Sequence, residues 1–171
     1  MMRRGWIVAT AIAALAAGAS LAFHPAPKLI WNASASVPIG LYAVRAAGVL
    51  RAGELVIIEP PRALAEYLSQ RRYLPLGAPL LKHILALPGQ RVCRTALAIS
   101  IDGAVMGRAL AHDRFGRALP VWRGCLRIRA GQVFVMNRRP PDSLDGRYFG
   151  ALPATTIVGR ADPLWIPGTH R

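Results

Sequence analysis

Nineteen consecutive residues at positions 5–23 of this 171-residue chain carry no charge, and Met1-Met2-Arg3-Arg4 stands directly before them. Such a stretch is ill suited to the polar outside of a water-soluble body. As a helix it reaches about 28 Å, close to the hydrocarbon thickness of a bilayer. The two arginines ahead of it predict a cytoplasmic N-terminus. The chain is therefore divided into an N-terminal membrane anchor or signal segment, residues 1–23, and an exported body, residues 24–171. The segment is read as an uncleaved anchor, with His24-Pro25-Ala26-Pro27 as a stiff tether behind it. A cleavable signal peptide is the alternative, because Ser20-Leu21-Ala22 offers a small-x-small cleavage site. Both readings export the body.

The body reads as mainly β. Residues 29–32, 41–44, 54–59, 80–87, 97–101, 104–106, 132–136 and 157–161 form short extended runs, many bounded by glycine or proline. Asp102-Gly103 is a hairpin turn signal, and Pro163 limits the last run. Residues 62–72 have helical composition and follow Pro60-Pro61. These features predict a mainly antiparallel β fold with one short helix, preceded by an N-terminal transmembrane helix.

The formal net charge is +14, which raises the question of nucleic acid. In the body, however, the arginines are scattered, with short pairs only at Arg71-Arg72 and Arg138-Arg139. No recognition helix or aromatic-basic interleaving accompanies them, so direct nucleic-acid binding is not expected. The charge is read as a surface facing inner-membrane lipid or solvent. The two cysteines, Cys93 and Cys125, both fall in the exported body. An even count in an oxidising compartment favours a disulfide. Neither has a second ligand at zinc spacing, so no metal is expected, and no cofactor is implied.

The chain has 22 basic residues, and all but Lys28 and Lys82 are arginine. Lys82 lies in the apolar run Leu80-Leu81-Lys82-His83-Ile84-Leu85. Arginine stays protonated at any working pH, whereas a lysine desolvated among leucines can lose its proton near neutrality. A snorkelling strand lysine is the ordinary alternative. A base of this kind has a use if a hydroxyl lies near, because a serine is a poor nucleophile until its proton is removed.

Four local patterns occur in order: Ser34-Ala35-Ser36-Val37-Pro38-Ile39-Gly40-Leu41-Tyr42; Lys82-His83-Ile84-Leu85-Ala86-Leu87-Pro88-Gly89-Gln90; Pro141-Asp142-Ser143-Leu144-Asp145-Gly146-Arg147-Tyr148-Phe149-Gly150; and Ile157-Val158-Gly159-Arg160-Ala161. Together they resemble the boxes of the signal peptidase I (S26) family of Ser/Lys proteases. The short Ser-x-Pro-x-Gly-x-Tyr first box is similar to that of the TraF-type conjugative transfer peptidases. The resemblance spans residues 34–161.

It implies a serine endopeptidase with a Ser/Lys dyad and no histidine. Ser36 is then the nucleophile and Lys82 the general base. Ser34, with the Ser36 amide, serves the oxyanion hole. Ser143 orients the lysine amine. Asp145 and Arg147 form a structural salt bridge near the site, with Asp145 as a third catalytic member the second choice. A Cys93–Cys125 bridge fits the subgroup. His83 stands where the wider family has arginine, and strand alternation predicts that it points away from Lys82. Gln90 replaces the usual aspartate, which puts a turn hydrogen bond in doubt.

The implied substrate is a secreted precursor protein, the conjugative pilin, with pilin cyclisation as a further outcome. The implied partners are components of a conjugative transfer or type IV secretion apparatus. The implied location is the inner membrane, with the catalytic body on the periplasmic side. Two alternatives stand: a general leader peptidase, or a non-catalytic structural subunit of the transfer apparatus.

Overall fold

The computed structural model describes residues 2–22 and 28–168 and, within the first helix, the side chains of residues 5–15 and 18. Helix α1 runs Met2–Ala22, and Trp6, Ile7, Val8, Ile12 and Leu15 on it are exposed. Among the described residues no helix is long and apolar enough to cross a membrane. The tether at positions 24–27 and the side chains of the Ser20-Leu21-Ala22 signal lie outside the described residues.

The body is built from strands β1 (Leu29–Asn32), β2 (Gly40–Arg45), β3 (Leu55–Ile58), β4 (Leu80–Ala86), β5 (Arg91–Thr95), β6 (Ala98–Ile101), β7 (Ala104–Arg108), β8 (Gly124–Arg127), β9 (Gln132–Val135), β10 (Leu152–Pro153) and β11 (Ile157–Trp165). Helix α2 spans Arg62–Gln70, and a single-turn helix α3 spans Gly146–Phe149. One sheet has seven strands in the order β1-β2-β11-β3-β4-β9-β10, and a second has four in the order β7-β6-β5-β8. Every strand pairing is antiparallel. Mainly antiparallel β with few helices is thus the observed class.

Strands β3 and β4 lie at the centre of the large sheet, which explains their unbroken apolar runs. Val56, Ile58, Leu80 and Ile84 enter one cluster with Leu68 of α2, Val133 and Val135. Ile57 and Leu81, one residue out of phase, enter a different cluster with Val37, Tyr42 and Ala161. Burying one such side chain fully contributes about 1.5–3 kcal/mol, so a one-residue slip of register would be costly. Lys82 pairs with Val56 and shares the face of Leu80 and Ile84. The small sheet is joined to the large one through Ala86, Val92, Ile99, Ile101, Phe134 and Met136.

Four features differ from expectation. Strand β11 continues past Pro163 to Trp165, with a register irregularity between those residues; a bulge accommodates the missing N–H. Strands β5 and β8 were not anticipated, and inward-facing Arg94 hides the alternation of β5. The helix expected at 62–72 ends at Gln70, because Arg72 turns left-handed (φ 57°). Residues 146–149 form a turn of helix, α3, which sits hard against β9. A Cβ on Gly146 would come within 2.6 Å of the Val135 carbonyl, so only glycine fits there.

Candidate active site

The loop between β1 and β2 carries Ser34 and Ser36. Asn32 organises it: its Nδ2 donates to the carbonyls of Ser34 (2.8 Å), Val37 (3.1 Å) and Pro38 (3.0 Å). Its Oδ1 accepts from the Ser34 amide (3.1 Å) and the Ser34 hydroxyl (3.0 Å). Tyr42 adds a 2.6 Å bond from its hydroxyl to the Pro38 carbonyl. Ser34 Oγ lies 3.1 Å from Ser36 Oγ. Because the Ser34 proton is directed at Asn32, Ser36 is the donor in that pair.

Lys82, 3% exposed, donates from Nζ to Ser143 Oγ at 2.8 Å. Burial pulls the amine down from 10.5 to about 8, against an opposing pull from the Asp145 carboxylate. The depression places the neutral amine within reach of ordinary pH. No direct hydrogen bond joins Lys82 to Ser36 among the described residues. The two instead share one cavity of about 350 Å³, lined by Ser34, Ser36, Lys82 and Ser143 together with Leu68 of α2, residues 72–74 just beyond that helix, Leu80, Leu144 and residues of the 110–119 segment.

Asn137, which sequence reasoning missed, holds these pieces in relation. Its Nδ2 donates to the Ser36 carbonyl (2.8 Å) and the Leu81 carbonyl (3.1 Å). One amide therefore ties the serine loop to the residue next to Lys82. Its Oδ1 accepts from the His83 amide (3.0 Å) and lies 2.9 Å from His83 Nδ1. Since Nδ2 must donate, Oδ1 is an acceptor and His83 Nδ1 carries a proton. His83 is not among the residues lining the cavity. The only trace of Asn32 and Asn137 in sequence is an asparagine at a strand end.

Asp145 and Arg147 lie behind Ser143, at 0% exposure, and do not line the cavity. They form a two-point pair, Nε–Oδ1 at 2.9 Å and Nη2–Oδ2 at 2.8 Å. Arg147 also donates to the carbonyls of Asn137 (2.9 Å), Pro141 (2.9 Å) and Ser143 (3.1 Å). The pair thereby gathers the segment that presents Ser143 to Lys82. The Asp145 carboxylate also caps α3 by accepting from the Arg147 amide (3.1 Å). Cys93 and Cys125 face each other across β5 and β8 and form a disulfide, away from the cavity. Gln90 makes the turn bond after β4: its Oε1 accepts from the Leu87 amide at 2.9 Å.

A buried amine, two neighbouring hydroxyls and a third hydroxyl on the amine are arranged around one cleft. The sequence model of "Signal peptidase, peptidase S26" matches residues 2–166. The chain belongs to the signal peptidase S26 family. Within this family it is similar to the conjugal transfer protein TraF of Agrobacterium fabrum, at 36% identity over 144 residues, covering 78% of this chain and 80% of that one. It is also similar to the plasmid transfer protein TraF of Escherichia coli, at 26% identity, covering 87% and 91% respectively. A probable signal peptidase I-1 of Synechocystis is 30% identical over 69% of this chain and 56% of its own length. Among solved structures, a signal peptidase I from Enterococcus faecalis aligns with a TM-score of 0.41 at 18% identity, covering 66% of this chain and 96% of that one. Of the four sequence patterns, those at 34–42, 82–90 and 141–150 contribute residues to the cavity lining, and the one at 157–161 contributes none.

Proposed function

We propose that this S26 family member is a membrane-attached serine endopeptidase in which Ser36 attacks and Lys82 is the base. The observation that carries the reading is the Lys82 amine: buried, drawn down to about 8, and opening on the cavity that holds Ser36. Ser36 Oγ–H gives its proton to the neutral Nζ as the oxygen bonds to the scissile carbonyl carbon. The carbonyl electron pair moves onto its oxygen. The Ser36 amide and the Ser34 hydroxyl, swung away from Asn32, donate to that oxyanion. The ammonium then hands the proton to the leaving nitrogen as the C–N bond breaks, leaving an ester on Ser36. Water attacks the ester with Lys82 again taking the proton, and Ser36 regains its hydrogen. An amine of the same precursor attacking in place of water gives a ring. The Ser143 hydroxyl holds Nζ in position throughout.

The S26 membership and the TraF-like relatives support a precursor protein of a conjugative apparatus, the pilin, as substrate. They also support partners within that apparatus. We place residues 1–23 as the anchor in the inner membrane and residues 24–171 as the peptidase body on the periplasmic side. Exposed Trp31 and Trp165, with rings 5.8 Å apart, lie beside exposed Leu29 and Leu164 and suit contact with a bilayer interface.

The test incubates purified full-length protein with a pilin precursor, alongside Ser36→Ala and Lys82→Ala. Cleavage by the parent and loss of at least 100-fold in both variants is expected, as removal of a base costs about 10²–10⁴. Activity surviving Lys82→Ala sinks the dyad. Cleavage of ordinary secreted preproteins identifies a general leader peptidase, and an inert parent identifies a structural subunit.

A further inference from the structure

Helix α2 ends in a two-bond cap. The Arg72 amide donates to the Ser69 carbonyl and the Tyr73 amide to the Leu68 carbonyl, both at 2.9 Å. This is the Schellman arrangement, with Arg71 at the C-cap and Arg72 one residue beyond. That position needs the left-handed conformation, and Arg72 adopts it at φ 57°. Glycine takes it freely, whereas a residue with a Cβ does so under strain. Arginine here is thus a locally unfavourable choice, and its exposed side chain lines the same cavity as Ser36 and Lys82.

The cavity has a second exposed cation on this side. Arg114 lies in the segment that faces α2, its guanidinium 4.8 Å from the Phe115 ring centroid. That segment is clasped to the end of α2. Arg71 Nη1 donates to the Ala118 carbonyl (2.8 Å), and Arg117 Nη2 donates to the Arg71 carbonyl (3.1 Å). Two carboxylates also line the cavity. Asp113 is consumed by the Tyr73 hydroxyl, the Arg117 guanidinium (2.7 Å) and two backbone amides. Asp142 is exposed and sits next to Ser143, on the lysine side. Among the described residues neither Arg72 nor Arg114 has a carboxylate partner.

We infer that Arg72 and Arg114 are specificity determinants that select a substrate segment carrying an acidic side chain at a fixed place beside the bond to be cut. Charge-assisted bonds from guanidinium to carboxylate are strong and directional, and the fork of arginine suits them. The apolar floor of Leu68, Leu80 and Leu144 accepts small or apolar side chains, and the acid falls on the α2 side, away from Asp142. The inference rests on the peptidase reading for the word substrate, though binding alone tests it.

The test uses fluorescein-labelled peptides with an Ala-Ser-Ala junction. One glutamate is walked through the eight positions flanking the junction, with glutamine at the same place as control. Cleavage is measured with the full-length parent in detergent, and binding by anisotropy with Ser36→Ala. One position is expected to show about a tenfold preference for Glu over Gln. That ratio should fall to near one in Arg72→Gly combined with Arg114→Ala, and recover in part with Arg72→Lys. Arg72→Gly relieves the left-handed strain, so its urea midpoint should stand at or above the parent's, which separates recognition from folding. A ratio near one at every position, or one that survives the double change, overturns the inference. A binding preference without cleavage supports it and sinks the peptidase reading instead.

Discussion

Replacing Lys82 by methionine should make the protein more stable and inactive. Methionine fills a similar volume and carries no charge. A fall in the lysine pKa from 10.5 unfolded to about 8 folded corresponds, at about 1.36 kcal/mol per pKa unit, to about 3 kcal/mol. The sign follows from proton counting. Below pH 8 the amine is charged in both states, and the folded state bears the whole desolvation cost. Between pH 8 and 10.5 the unfolded chain holds the proton and the folded chain does not, so stability rises with pH. Above 10.5 both are neutral and the penalty is gone. Losing the bond to Ser143 costs about 1 kcal/mol. The net expectation for Lys82→Met is a gain of about 2 kcal/mol at pH 7, shrinking to near zero at pH 9.5. Burial raises the tyrosine hydroxyls of Tyr42, Tyr73 and Tyr148, but these titrate alike in both proteins and cancel in the difference. The assay is urea unfolding of the full-length chain in detergent, followed by tryptophan fluorescence, at pH 7 and 9.5. A variant less stable than the parent at pH 7, or a gap that does not move with pH, would refute the claim that burial lowers the pKa of Lys82.

The same amine sets the rate profile: kcat/KM should climb about tenfold per pH unit below 8 and level off above it, and a flat profile between pH 6 and 9 removes Lys82 as base. Asn137→Ala leaves the Ser36 and Leu81 carbonyls without their donor, so it should cost about 1–3 kcal/mol in urea unfolding. It should also lower kcat more than it raises KM, because the serine loop loses its tether to β4. Removing the disulfide with Cys93→Ser and Cys125→Ser opens a loop with a 32-residue separation. In the chain-entropy model this costs about 3–4 kcal/mol. The kcat at a temperature where the variant is folded should be unchanged, since neither cysteine lines the cavity; a large fall in kcat would place the small sheet in the site.

Legibility in the sequence followed the range of the forces involved. Strands β3 and β4 were readable because central strands are apolar on both faces. The hairpin of β6 and β7 was readable because Asp102-Gly103 acts locally; Asp102 does adopt a positive φ of 48°. Strand β5 was not readable, because Arg94 faces inward at 2% exposure, its Nη1 donating to the carbonyls of Pro120 and Arg147. A charge on the buried face cancels the period-two signal that a strand normally shows. The four residues of α3 are too few to establish a helical period. Their start is set by the Asp145 side chain and by the tight seat of Gly146 on β9, and both are tertiary facts.

The site was legible in its chemistry and illegible in its scaffolding, for one physical reason. A desolvated base must be lysine rather than arginine, so in a chain built on arginine the exception at position 82 stands out. The groups that place it carry no such mark. Asn137 reaches the Ser36 carbonyl across 101 residues of sequence, and any asparagine at the end of a strand looks the same before folding. Gln90 makes the complementary point. An aspartate was the expected residue, and its absence left a turn bond in doubt. Yet the longer amide accepts from Leu87 and donates onward to Asp102 at 2.9 Å, joining the turn to the β6–β7 hairpin. The turn asks only for an acceptor at the right reach, so its residue can change. The position of Lys82 asks for a cation that can shed its proton in an apolar strand, and among the amino acids with a long basic side chain only lysine meets that demand.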